Sequence, residues 1–396
     1  MKRALVLLLI LLLSGAPVSD AAPKKITVKP LQLLTTVGTP DEVSGVVVSG
    51  KNLIVYGTQD QKAYARGLDA TGKELWKLPL ELVLPSIATT ATVDSVGDIW
   101  IAGATPSAVE PASPTPTATP LNPDNAVTPP ATFIADLQTL KIWKVSAAGE
   151  MLFASTLATG NVIFPTAIAI DKVGVTIVGL VASETINAGF IINTDLDGVF
   201  SKLLQIGATA TTVDAVVRHS DGSFTVAGSS AETIAAKKVV GVNDGILIKV
   251  SNTLKITAVV RSSIAKGSRI WNSASNSLLL GGEVVAAGKS ESAVTKFSTS
   301  FVPKWSYRFA ATGPAITLGA TQLFFISTAS VPQLVWYPKK PMPLLITFDP
   351  KGIITAADSG PVGQIEVLGA VLSKEFGVLL ITSSPESVSI FTRNPR

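Results

Sequence analysis

The stretch from Pro165 to Gly207, "PTAIAIDKVGVTIVGLVASETINAGFIINTDLDGVFSKLLQIG", decides the fold. It contains four apolar runs, "TAIAID", "VTIVGLV", "GFIINTD" and "VFSKLLQIG", which are rich in Val, Ile, Thr or aromatic residues and are bounded by Gly, Asp, Asn or Ser. Runs of this composition between turn-forming residues predict β-strands joined by tight turns. We therefore interpret the stretch as one unit of four antiparallel strands.

Copies of this unit run along the chain. Each copy has a short β-branched run that ends at a small residue, and these end residues are Gly57, Gly103, Gly179, Gly228, Gly282, Ser327 and Thr382. They lie about 45 to 55 residues apart once a Pro-rich insertion at Thr105–Ala131 is set aside. Four-stranded repeats at this spacing are typical of β-propeller blades. We predict an all-β, seven-bladed β-propeller of four-stranded antiparallel blades, with six or eight blades as the alternatives.

The two ends of the chain predict how the ring closes. After Thr382 only one more strand fits, "SVSIFTRN", so the last copy is one strand short. The segment "ITVKPLQLLTTVG", which begins at Ile26, can supply the missing outer strand. We therefore expect an N-terminal strand to complete the last blade, because this pairing removes the open sheet edges.

The N-terminal residues have the layout of a secretory signal peptide. Lys2 and Arg3 precede the apolar run "ALVLLLILLL", which a small-residue segment follows. The run is shorter than the roughly 20 residues of a membrane span. We predict a signal peptide at residues 1–22 and a single propeller domain at residues 23–396, with an uncleaved anchor as the alternative. The product is expected to be extracellular, cell-surface or periplasmic, with no transmembrane span after cleavage.

The amino-acid composition limits which bonds and partners the chain can have. There is no cysteine, so no disulfide can form, and only 15% of the residues are charged. The formal net charge is +4. Nucleic-acid binding usually needs a clustered basic face, and we therefore expect no nucleic-acid partner.

Two segments, "VDSVGDIWIAGAT" from Val93 and "RHSDGSFTVAGSS" from Arg218, resemble bacterial secreted β-propeller repeats. These repeats contain Asp-x-x-Gly, an apolar strand and Ala-Gly or Thr-Gly. The resemblance implies a fold and no particular activity.

A second resemblance is local. The segment "LDATGKELWKL", from Leu68 to Leu78, is similar to the repeats of quinoprotein-type and outer-membrane assembly propellers, in which a Gly turn precedes a docking Trp. Trp76 occupies that position. The corresponding residues in other copies are Phe153, Lys202, Ile256 and Trp305.

The sequence offers little to catalysis. The inner strands, which line the channel of a propeller, are mostly small and apolar, with Asp214, Arg218, Arg269 and Glu366 as the exceptions. A glycosidase needs two carboxylates across a polar cleft, and metal catalysis needs more ligands than the single histidine, His219. We assign His219 and the Asp residues of the Asp-Gly segments to turns, and Trp100, Trp143 and Trp271 to the core. We predict no catalytic residue, no metal site and no cofactor.

Long loops mark one face. In an antiparallel blade the connections after the second and fourth strands share a face, and the long ones there are Thr105–Ala131, Ser229–Asn243 and Thr328–Met342, in the second, fourth and sixth blades. Loops of this length are often functional. The candidate binding residues on them are Lys237, Lys238, Trp336, Tyr337, Lys339 and Lys340. Trp336 has the alternative role of packing its own loop against the domain.

These observations predict an exported, non-catalytic binding or scaffolding module that acts through the long-loop face at the cell surface or extracellularly. The expected partner is a carbohydrate, an envelope polymer or a protein, since aromatic and cationic side chains on a protruding loop suit each of these. The alternatives are a propeller enzyme, quinoprotein-like or acting on polysaccharide, and an envelope-assembly factor.

Overall fold

The computed structural model describes residues 25–107 and 136–393. These residues form β-strands, turns and loops, and within these ranges no helix is long and apolar enough to cross a membrane. The predicted signal peptide and residues 108–131 of the predicted insertion lie outside the described residues.

Two strands precede the first blade, and the first two blades follow them in chain order. The N-terminal strands are β1 (Ile26–Pro30) and β2 (Gln32–Thr36). The first blade consists of β3 (Val43–Ser49), β4 (Asn52–Gln59), β5 (Lys62–Leu68) and β6 (Glu74–Pro79). The second blade consists of β7 (Ile87–Val93), β8 (Ile99–Thr105), β9 (Thr139–Val145) and β10 (Met151–Ala158).

The third and fourth blades have the same order of strands. The third blade consists of β11 (Val162–Ile170), β12 (Val175–Ala182), β13 (Asn187–Thr194) and β14 (Leu204–Ile206). The fourth blade consists of β15 (Thr211–Arg218), β16 (Phe224–Ser230), β17 (Asp244–Val250) and β18 (Ile256–Ser262).

A nine-stranded sheet comes next. Its first strands are β19 (Gly267–Ala274), β20 (Leu279–Ala286), β21 (Lys289–Phe297) and β22 (Pro303–Leu318). Its later strands are β23 (Gln322–Ser327), β24 (Leu334–Val335), β25 (Met342–Phe348) and β26 (Ile354–Ser359). Their spatial order is β19-β20-β21-β22-β23-β25-β26-β1-β24.

The C-terminal blade is built from both ends of the described chain. It consists of β27 (Glu366–Ser373), β28 (Gly377–Ser383) and β29 (Val388–Thr392), with β2 as the outer strand. β2 pairs antiparallel with β29, so that Gln32 lies opposite Thr392. The N-terminal segment therefore completes this blade, which is the closure expected from the two ends of the sequence.

The predicted count of seven four-stranded blades is wrong. The described residues form five four-stranded antiparallel blades and one nine-stranded sheet. The reason is β22, which runs for 16 residues and pairs with β21 through its first half and with β23 through its second half. Gly313, which has a φ of 77°, lies at a register shift inside this strand. Two of the predicted units thus share a strand and merge.

The predicted N-terminal strand is in fact two strands. Leu31, which is buried, separates β1 from β2. β1 pairs parallel with β26, and it also pairs parallel with β24 inside the loop that joins β23 to β25. A parallel partner from a distant part of the chain has no signature in local turn chemistry, because parallel strands are not joined by a tight turn.

The sheets form a closed ring. The inner strands β3, β7, β11, β15, β19, β22 and β27 contact one another in that order, and β27 contacts β3. The core lies between neighbouring sheets, where for example Ile54 of the first blade and Trp143 of the second share one apolar cluster. Trp100, Trp143 and Trp271 are completely buried, which confirms their assignment to the core.

Candidate functional site

The loop between β23 and β25, residues 328–341, is fixed by the N-terminal strand. The backbone N–H of Ile26 donates to the carbonyl oxygen of Gln333 at 3.0 Å, and Ile26 and Thr27 are in register with Leu334 and Val335. Leu334 is buried in the core cluster of the nine-stranded sheet. This long loop therefore has an ordered position at the outer edge of the sheet.

The aromatic residues of this loop have different roles. Trp336 is partly buried and packs against the core cluster that contains Leu334, which is the alternative role anticipated for it. Tyr337 is 75% exposed. Lys339 and Lys340 are exposed beside it. Trp336 thus supports the loop, whereas Tyr337 and the two lysines are available to a partner.

The strand that holds the loop adds charge of the same sign. Ile26 and Val28 of β1 pack against the core, whereas Lys25 and Lys29 are exposed. Alternate residues of a strand point to opposite sides, which explains this division. We call Lys25, Lys29, Tyr337, Lys339 and Lys340 the rim surface.

The fourth-blade loop, residues 231–243, is held by buried charges. The carboxylate of Asp244, which is fully buried, accepts hydrogen bonds at 2.9 Å from two backbone N–H groups of the loop. Nε of Arg261 donates to the carbonyl oxygen of Lys237 at 3.0 Å. The side chains of Lys237 and Lys238 are exposed. In the part of the chain that the structure describes, no hydrogen bond or ion pair joins this loop to the rim surface. The six predicted binding residues therefore lie on two loops that are held in place independently.

On the opposite face, aromatic side chains close junctions by docking onto a turn of the next repeat unit, in the neighbouring sheet or, for Trp305, within the nine-stranded sheet. Nε1 of Trp76, on the first blade, donates to the carbonyl oxygen of Ala147 on the second at 3.3 Å. A Cβ atom on Gly149 would lie 2.6 Å from Cγ of Trp76. This is the docking contact that the local resemblance implied for Trp76.

The same contact recurs at two other positions in the ring. Phe153 lies over Gly198 of the third blade, where a Cβ atom would come within 2.7 Å of its ring. Nε1 of Trp305 donates to the carbonyl oxygen of Pro350 at 3.3 Å and its ring covers Gly352. A Gly turn followed by an aromatic residue therefore identifies closed junctions.

The junction between the third and fourth blades is open. The docking position there is Lys202, which is exposed, and the turn residue that corresponds to Gly149 is Leu254. A surface groove of about 520 Å³ lies at this junction, between turns of both blades. The sequence signal for this groove is Lys202, which replaces the aromatic residue of the other junctions, but a lysine at one turn does not by itself identify a binding site.

The structure confirms that the Asp residues of the Asp-Gly segments and His219 lie in turns. The Oδ1 atom of an Asp accepts a hydrogen bond from the backbone N–H two residues later at Asp69, Asp94, Asp171, Asp195, Asp221 and Asp349. His219 also lies in a turn, with Nε2 2.7 Å from Oγ1 of Thr225, and burial lowers its pKa. Within residues 25–107 and 136–393, no group of three or more His, Asp or Glu residues is placed to hold a metal ion.

Asp214 is the carboxylate of the inner strands with the most altered titration. It lies at a register shift in β15 and accepts a hydrogen bond from Oγ1 of Thr212 at 2.7 Å. Burial raises the pKa of Asp214 to about 6, against the opposing effect of that hydrogen bond.

The other charged residues of the inner strands have structural contacts or face solvent. Nε of Arg218 lies 2.9 Å from Oδ2 of Asp171. Arg269 is buried and its guanidinium carbon lies 5.0 Å from the ring centre of Trp271. Glu366 is exposed. Arg218 and Arg269 therefore take part in contacts within the fold.

The comparisons with known proteins concern the fold. No family model and no curated protein matches this chain. The chain is similar in structure to the WD40 domain of Neurospora crassa Pan2, with a TM-score of 0.56 and 11% identity over 94% of this chain and 98% of that domain. It is also similar to Chaetomium thermophilum Sqt1, with a TM-score of 0.51 and 11% identity over 92% of this chain and 98% of that one.

The chain folds as a β-propeller. At such low identities the structural similarity shows the fold alone. A propeller repeat architecture is thereby confirmed in general terms, whereas the resemblance to bacterial secreted repeats in particular stays a prediction.

Proposed function

We propose that this chain is an exported, non-catalytic binding or scaffolding module whose rim surface binds an acidic segment of a partner protein. The observation that carries the proposal is the pairing of β1 with β24, which holds an exposed tyrosine and two lysines on an ordered loop. An aromatic side chain that is already ordered loses little conformational entropy when a partner covers it.

Charge supports the choice of partner. Lys339 and Lys340 are exposed on the loop, Lys29 is exposed on the strand that supports it, and Lys25 is exposed just before that strand. A surface of one sign attracts a partner of the opposite sign and speeds its association. An acidic peptide satisfies the lysines and can stack an apolar side chain on Tyr337, whereas a neutral glycan uses the tyrosine alone.

The test is binding of the purified chain to a fluorescein-labelled peptide of alternating Glu and Leu residues, with heparin and a neutral dextran as competing probes. Tyr337→Ala is expected to weaken peptide binding about tenfold, as for a residue at the centre of an interface. The double variant Lys339→Ala, Lys340→Ala is expected to reduce both the affinity and its dependence on salt.

Matched controls use lysines elsewhere. The double variant Lys51→Ala, Lys172→Ala removes the same charge from the short turns of the opposite face and is expected to leave binding unchanged. The double variant Lys237→Ala, Lys238→Ala tells whether the fourth-blade loop belongs to the same surface. Equal loss in the rim and opposite-face variants would show that only net charge matters and would contradict the proposal, and a preference for dextran would replace the acidic partner with a carbohydrate.

Export is a separate part of the proposal, and the layout of the N-terminal residues supports it. Expression of the full chain in a bacterial host is expected to release a product that begins near Ala22, as N-terminal sequencing would show. A product that keeps Met1 and stays in the membrane fraction would support the uncleaved anchor instead.

A further inference from the structure

The open junction between the third and fourth blades differs chemically from the closed ones. Where Trp76 and Trp305 dock, the chain covers its own turns with an indole ring. At the open junction Lys202 projects into solvent, and Val173 and Val199 beside the groove are 62% and 66% exposed. These two side chains give the groove an apolar side that a partner could cover.

The turn at the open junction keeps the shape of a docking turn. In the second blade the N–H of Gly149 donates to the carbonyl oxygen of Ser146. In the fourth blade the N–H of Leu254 donates to the carbonyl oxygen of Ser251 in the same way. Asn252, which lines the groove, therefore corresponds to Ala147, the acceptor for Trp76. Lys202 occupies the docking position in place of an aromatic residue, so this position places no ring over the turn and the groove is open.

The charges of the groove are mainly negative. Arg218 lines the groove but is paired with Asp171, whereas Asp195 and Asp221 also line the groove. In each of these two residues Oδ1 accepts the hydrogen bonds of its turn. Hydrogen bonds from Ser223 lower the pKa of Asp221, so its carboxylate is charged at neutral pH.

A buried hydroxyl group adds an independent observation. Thr194 lines the groove and is 4% exposed, and its Oγ1 atom has no hydrogen-bond partner among the described residues. A buried polar atom without a partner is unfavourable and requires an explanation, such as a bound water, an ion or another group. The groove thus has an apolar side, two carboxylates and an unused hydroxyl.

We propose that this groove binds an extended segment of a partner protein that inserts a tryptophan between the blades and places a lysine or arginine against Asp195 and Asp221. The indole ring covers Val173 and Val199, and its N–H is directed to the turn at Asn252. The flanking cation offsets the negative charge of the groove. The site lies on the face opposite the rim surface and does not rest on the function proposed for that surface.

The test uses the purified full chain and the fluorescein-labelled peptide Gly-Ser-Lys-Trp-Lys-Ser-Gly, followed by fluorescence anisotropy. Two comparison peptides replace Trp by Ala or both Lys by Glu. The first replacement is expected to weaken binding at least tenfold. The second is expected to weaken binding most at low salt, because its glutamates repel the two carboxylates of the groove and added salt screens this repulsion. Absence of saturable binding up to about 1 mM peptide, or equal affinity for the Trp and Ala peptides, would overturn the proposal.

Two variants locate the peptide. Ser220→Trp places a ring at the edge of the groove and is expected to weaken binding at least tenfold. Ser95→Trp is the matched control, since Ser95 holds the corresponding exposed position in the same kind of turn of the second blade. Equal affinities in the two variants would place the peptide elsewhere and refute the site, whatever Tyr337→Ala does on the other face.

A charge-neutral variant tests the carboxylates. The double variant Asp195→Asn, Asp221→Asn keeps oxygen acceptors for the turns and is expected to weaken binding about fivefold at low salt, with a smaller effect at high salt. Unchanged affinity at low salt would refute the role of the two carboxylates.

Discussion

The docking contact of Trp76 makes a quantitative prediction about Gly149. Gly149 has φ of 86°, a conformation that disfavours side chains, and a Cβ atom there would lie 2.6 Å from Cγ and 2.8 Å from Cε3 of Trp76. The left-handed backbone costs an alanine about 1 to 2 kcal/mol. Displacing a packed ring costs about 1 to 3 kcal/mol more. Gly149→Ala is therefore expected to lower the free energy of unfolding by about 2 to 5 kcal/mol.

Gly160→Ala is the matched control. Gly160 has φ of 71°, and a Cβ atom on it would meet no heavy atom within 4 Å. Its substitution is expected to show only the backbone cost of about 1 to 2 kcal/mol. The difference between the two variants isolates the contact with Trp76.

Guanidinium unfolding followed by circular dichroism measures both losses. A double-mutant cycle adds the decisive step, because in a Trp76→Ala background the extra loss at Gly149 is expected to vanish. Equal losses in Gly149→Ala and Gly160→Ala, or an extra loss that survives removal of the indole ring, would refute the docking account.

Two further predictions concern charged groups. Because burial raises the pKa of Asp214 to about 6 from its ordinary 3.8, the folded state holds the proton more tightly than the unfolded state, so stability falls as pH rises between these values. Asp214→Asn is expected to raise the free energy of unfolding by up to about 3 kcal/mol at pH above 6 and to leave it unchanged near pH 3. Asp41→Asn, at an exposed position, is expected to change the free energy of unfolding little. Identical unfolding curves for both variants at neutral pH would contradict this prediction. Arg393→Ala removes an ion pair of 2.9 Å to Asp358, which is 1% exposed, and is expected to cost about 3 to 5 kcal/mol. Arg308→Ala breaks the more exposed ion pair with Glu291 and is expected to lower the free energy of unfolding by less than about 1 kcal/mol. Similar thermal unfolding of the two arginine variants would show that the buried pair is no more stabilising than the exposed one.

The candidate site was only partly predictable from the sequence. Loop length identified the segment that carries Tyr337, and composition identified its lysines. The support of that loop by β1 was not predictable, because the pairing of Ile26 with Leu334 joins residues that are far apart in the chain. Lys202 at a docking position is the sequence feature that corresponds to the groove. The carboxylates of the groove come from turns of two blades, which are brought together only by the assembled ring.

What the sequence by itself determined is local. Apolar runs between Asp and Gly turns specify strands and hairpins, because the geometry of a tight turn depends on a few adjacent residues, and the burial of Trp100, Trp143 and Trp271 follows from their place in those strands. The tertiary structure alone decided which strands share a sheet. A strand pairs with any edge of suitable shape that the rest of the chain leaves open, and local sequence does not record such edges. For this reason the continuity of β22, the parallel pairing of β1 and the open groove beside Asn252 were decided only by the assembled ring.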